Sequence, residues 1–101
     1  MHLVEILVPL RDNHGVPLPE ERFIALRATL TDRFGGLTAF TRAPADGFWR
    51  NSGESLREDV VVFEVMVDEL DRTWWSDFRR HLEERFRQEE VVIRAHAIER
   101  L

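Results

Sequence analysis

Four residues in this sequence have the types and the placement to do acid/base chemistry together: Glu5, Glu64, Arg94 and His96. Each interrupts a run of apolar residues, LVEILVPL around Glu5, DVVVFEVMV around Glu64 and VVIRAHAI around the last two. Charged side chains out of pattern in strand-like runs need partners. On neighbouring strands they would bring an ion pair and an imidazole within hydrogen-bonding reach. Burial favours the neutral form of a carboxylic acid, and imidazole is the side chain that titrates near neutrality. The set therefore suits proton transfer on a small, aromatic or anionic molecule, with His96 or Glu64 as base and Arg94, beside Glu5, holding an anion. Phe48 and Trp49 are large aromatics in a polar stretch, and would either close such a cavity or pack on a neighbouring subunit. A structural reading stands beside this one: Glu64 and Arg94 as a cross-sheet ion pair that fixes register, and His96 as an interface histidine.

The elements that must position these residues follow from periodicity. In residues 59–67, Val61, Phe63, Val65 and Val67 point one way, and Val60, Val62, Glu64 and Met66 the other. The first set is uniformly apolar and suits a layer of helices. Leu3 to Leu10 reads as a first strand, with Val4, Ile6 and Val8 on one face and Pro9 at its end. Residues 11–19, RDNHGVPLP, read as a loop. Pro19, Glu20 and Glu21 suit a helix start, Phe23, Leu26, Leu30 and Phe34 recur at helical spacing, and Gly35-Gly36 is a stop. Because those glycines follow a helix, they cannot cradle a phosphate at its start.

Residues 37–42 have strand propensity, and 43–58, APADGFWRNSGESLRE, read as a polar loop completing a long hairpin. Asp71 is a candidate N-cap for a second helix with Trp75, Phe78, Leu82 and Phe86 as its apolar stripe, Trp74 beside it, and Arg/Glu pairs on its solvated face. Val91 to Ile98 reads as the last strand. The order β-α-β-β-α-β predicts an α+β, ferredoxin-like sandwich: one domain over residues 1–101, with a four-stranded antiparallel sheet and two helices on one face. Glu5, Glu64, Arg94 and His96 then share the uncovered face with Leu3, Leu7, Val60, Val62, Met66, Val92 and Ile98. An apolar surface of that extent needs a cover, and a second copy is the economical one.

The run Arg33-Phe34-Gly35-Gly36-Leu37-Thr38, with Trp49-Arg50 in the hairpin, resembles a family of small bacterial proteins of unknown function, and the whole arrangement resembles the dimeric α+β barrel branch of ferredoxin-like proteins. The latter resemblance implies two subunits packed sheet against sheet around a cavity that holds substrate. It implies no particular reaction and transfers no catalytic residue.

Composition narrows the classes. No cysteine is present among the 101 residues, which excludes disulfides, thiolate metal sites and cysteine nucleophiles. His2, His14, His81 and His96 show no metal-binding spacing, and Ser52, Ser55 and Ser76 no nucleophile motif, so neither a metal nor a cofactor is expected. A net charge of -5 with scattered basic residues offers no stripe for nucleic acid. The N-terminus lacks a signal-peptide pattern and no apolar run approaches a membrane span, so a cytoplasmic protein is expected. The reading is a homodimer that binds a small molecule over its sheet face, as a cofactor-free isomerase, lyase or oxygenase-like enzyme. The alternative is a non-catalytic oligomerisation or regulatory module.

Overall fold

The apolar run at 59–67 becomes the end of the longest strand and the partner of the first. In the computed structural model, residues 1–36, 38–48 and 55–101 are described, those at 38–48 and 55–59 by their backbone alone. The elements are β1 (His2–Pro9), α1 (Glu20–Phe34), β2 (Thr38–Phe48), β3 (Ser55–Val67), α2 (Arg72–Arg85) and β4 (Val92–Ala97). All strand pairs are antiparallel, and backbone hydrogen bonds connect them in the order β2-β3-β1-β4.

That register corrects the expected β-α-β-β-α-β sandwich with a four-stranded sheet. β1 pairs with β3 from His2↔Val67 to Pro9↔Val60, and with β4 from His2↔Ala97 to Leu7↔Val92. The body that carries the helices is thus a three-stranded antiparallel sheet, β3-β1-β4, with two helices, β-α-β-α-β along the chain. β2 meets this body only from Thr38↔Glu64 to Arg42↔Val60. It then shifts register and continues from Ala45↔Glu58 to Phe48↔Ser55, past the last pair that β1 makes. β2 is one arm of a long ribbon, not a full fourth member of the sandwich. Most of 43–58 is accordingly strand, not the expected loop. Pro44 falls within the register shift, where its missing N–H takes nothing from the ladder.

The helix-facing side of the body is the core. Val4, Ile6 and Val8 of β1 and Phe63, Val65 and Val67 of β3 are all buried, as period-two alternation requires, and meet Leu26 and Leu30 of α1 and Trp75, Phe78 and Leu82 of α2. Each such side chain contributes about 1.5–3 kcal/mol on burial.

The two helices run antiparallel and are clamped at both ends. Phe23 meets Phe86 edge-on at 5.2 Å, while Arg22 Nη1 donates to the Arg85 carbonyl at 2.7 Å. At the other end Phe34 stacks on Trp75 at 5.3 Å and meets Trp74 edge-on at 5.5 Å, with the Arg33 guanidinium 4.1 Å from the Trp74 ring centre. Gly35 closes α1 in the left-handed conformation at φ 72, donating to the Thr31 carbonyl. The Arg33–Gly36 run is therefore architectural. Asp71 caps α2 by accepting from the Trp74 N–H at 3.1 Å. Of the expected pairs on α2, Arg79–Glu83 forms at 3.4 Å, whereas Arg80 turns back to Asp77 at 3.8 Å.

Candidate functional site

The face of the sheet turned away from the helices is ruled in rows by the register. One row reads Glu64, Glu5, Arg94 across β3, β1 and β4. The row on one side reads Met66, Leu3, His96, and on the other Val62, Leu7, Val92. A charged row thus lies between two rows that are mostly apolar. Met66 and Val92 stand 52% and 45% exposed, so among the described residues nothing covers this face at those two positions. Val62 is the exception at 1%, flanked in register by Leu7 and by position 40 of β2.

Of the four polar residues singled out by their sequence context, the structure brings two into contact. Arg94 Nε donates to Glu5 Oε1 at 3.2 Å, with the Glu5 side chain only 12% exposed and that of Arg94 54%. A largely buried carboxylate therefore anchors a guanidinium whose other donors remain available. Glu64 does not pair with Arg94: β1 lies between their strands, separating them by about 10 Å in the sheet plane. The expected Glu64–Arg94 ion pair is corrected to Glu5–Arg94. For the same reason Glu64 and His96 are not in mutual hydrogen-bonding reach. They sit on strands either side of β1 and in different rows.

Glu64 borders a hollow of about 690 Å³ with Met66, Leu3 and Arg100. His96 borders a different depression, of about 440 Å³, beside the outer edge of β4. Trp49 lies outside the described residues. Phe48 is placed as the backbone position that ends β2, opposite Ser55.

One polar residue escaped sequence reasoning. Asp12, in the loop after β1, is buried, and its Oδ1 accepts from the N–H groups of His14 at 2.8 Å and Val16 at 2.9 Å. The Val16 amide above all, then the His14 amide and the charges of His14 and Arg87, hold its carboxyl below the usual carboxylate range against the opposing effect of burial. The neighbouring Asn13 accepts from the Glu89 N–H at 2.6 Å, and Gln88 donates to the Arg11 carbonyl at 2.7 Å, so this loop is tied to the segment after α2. RDNHG is legible as a turn, but nothing in its composition tells which carboxylate is buried.

No protein-family model matches the sequence, and no curated protein matches it. Solved structures do match in fold. A phage SAM lyase in complex with S-methyl-5'-thioadenosine aligns with a TM-score of 0.65 at 16% identity, over 94% of this chain and 79% of that one. CutA from Pyrococcus horikoshii, crystallised in the presence of 3 M guanidine hydrochloride, gives 0.61 at 13% identity over 100% and 87%. A single-substitution variant of CutA1 from Pyrococcus horikoshii OT3 gives 0.62 at 13% over 100% and 86%. These are small α+β proteins of ferredoxin-like type, consistent with the superfamily resemblance; at such identities the likeness extends to fold alone. Among the described residues, no helix is long and apolar enough to cross a membrane.

Proposed function

We propose that the protein is a self-associating, small-molecule-binding module, in which two copies pack open sheet face to open sheet face and enclose a ligand over Arg94 and His96. The observation that carries this reading is the Glu5–Arg94 pair, a guanidinium fixed by a carboxylate 12% exposed, on an uncovered face between apolar rows. Apolar surface drives the association, and the free donors of Arg94 select an anionic group on the ligand. In the enzymatic form of the reading, His96 is the base for that ligand. Glu64 acts on the same molecule only if it reaches across β1, about 10 Å, which favours an elongated or ring-bearing ligand. A fold neighbour that is a lyase carrying a nucleoside thioether supports the use of this scaffold for such molecules.

The second reading, a non-catalytic oligomerisation module, draws on the same ion pair, because Glu5 and Arg94 satisfy one another within the chain. Native mass spectrometry of the protein as purified separates the two. The first reading predicts a dimer that retains a small-molecule mass, lost in Arg94→Ala and His96→Ala while the dimer persists. A dimer that carries no extra mass and is unchanged by either substitution would establish the second, and a monomer would remove both.

A further inference from the structure

The edge of β4 is left bare on its helix side. Ala95 has the parity of the helix side in β4 but is exposed, because α2 stands off the strand and leaves a groove of about 440 Å³ between them. Val4, Trp75 and Ile93 give this groove an apolar floor. Arg72, Ser76 and Arg79 line it from α2, at the i, i+4, i+7 spacing that sets three side chains along one helix face. We propose that this groove is a binding site for a small molecule bearing a phosphate or carboxylate on a compact apolar body. The volume lies within the roughly 300–1,000 Å³ of small-ligand sites.

Three independent observations support an anion there. First, the chain carries a net charge of -5, yet among the described residues the groove lining holds three arginines, Arg94 at its rim among them, two histidines and no carboxylate. Arg72 makes no ion pair among the described residues. Arg79 shares Glu83 with the Val91 N–H, which donates to the same carboxylate oxygen at 3.0 Å, so its remaining donors face no competing acid in the groove.

Second, the Ile98 N–H donates to the Met1 carbonyl at 3.1 Å. Antiparallel alternation then directs the amides of the even-numbered β4 residues to β1 and those of Ile93, Ala95 and Ala97 to the outer edge, where no strand pairs with them. The methyl side chains of Ala95 and Ala97 leave those donors within reach of a ligand oxygen. Third, His2 Nδ1 is buried without a hydrogen-bond partner, and His2 lines the same groove. A buried polar atom left unpaired marks a place where a partner is missing.

Arg94 and His96 also border the groove, from the opposite parity of β4, so its α2 wall of Arg72, Ser76 and Arg79 is the part that distinguishes it from the sheet-face site. The test is a two-dimensional amide NMR titration of the full chain with phenyl phosphate and with benzoate, which separate the two anion classes. Saturable shifts are expected at Ser76, Arg79, Ala95 and Ala97 with at least one probe. Affinity should fall at least tenfold in the Arg72→Gln/Arg79→Gln double variant, while Arg27→Gln, exposed on α1 and away from the groove, leaves it unchanged. Ser76→Glu, which places a carboxylate in the wall, should abolish the shifts and serves if the double variant does not fold. Absence of saturation with both probes, equal affinity in the charge-removed variants, or solvent protection of the Ala95 and Ala97 amides by a second copy in the unliganded protein would each overturn the proposal.

Discussion

Asp12 and Glu5 are both carboxylates drawn largely out of water, and they are held in different ways. Glu5 faces a guanidinium 54% exposed, so their ion pair is screened by solvent. Arg94→Ala should therefore lower the unfolding free energy by less than about 1 kcal/mol in a urea titration, and any loss of ligand in that variant reflects the site and not the fold. Asp12 accepts two backbone N–H groups, from His14 and Val16, and its carboxyl is depressed accordingly. A depressed acid stabilises the folded state at pH values above its unfolded value of about 3.9, and that stability is lost as pH falls through the lower folded value. The urea midpoint of the protein should thus drop on acidification below about pH 4, and Asp12→Asn should show a smaller drop. An identical acid dependence in the variant would mean that other groups govern it. The sequence placed Glu5, Glu64, Arg94 and His96 on one face by parity alone. It could not place them relative to one another, because the distance between Glu64 and Arg94 depends on which strand lies between.

The helices were legible because caps and spacing agree locally. Pro19 before the acidic first turn, the aromatic and leucine stripe and Gly35 bound α1, and Asp71 starts α2. Gly35 at φ 72 has nothing within 4 Å of where a Cβ would stand, so Gly35→Ala meets a conformational penalty without a clash. About 1 kcal/mol is expected, read as a fall in Tm of roughly 4–8 °C for a chain of this size. A variant as stable as the wild type would show that the stop is not set by this residue. The ribbon was not legible in the same way. Pro44 and Gly47 lower strand propensity in APADGF, but pairing against residues 55–58 supplies a partner that no local scan can see. Likewise β4 ends at Ala97, short of Ile98, and is edged by a groove, because where α2 sits over the sheet is a tertiary matter.

Taken as one molecule, the chain has buried one side of its sheet and left the other apolar and uncovered. Period-two parity read the buried side correctly for β1 and most of β3, where Val4, Ile6, Phe63 and Val65 are all within 2% of full burial, but not for Ala95 of β4, which is exposed, nor for Val62, buried on the other face. What parity cannot supply is what covers that face. A face that exposes Met66 and Val92 around a fixed guanidinium is accounted for if a second copy and a ligand share it. The most direct measurement is a crystal structure of the protein as purified, inspected at the open face. Two copies packed face to face, with small-molecule density against the Arg94 guanidinium and His96, is the predicted result. An open face left to solvent, or a dimer whose interface is filled by apolar side chains with no space beside Arg94, would contradict it.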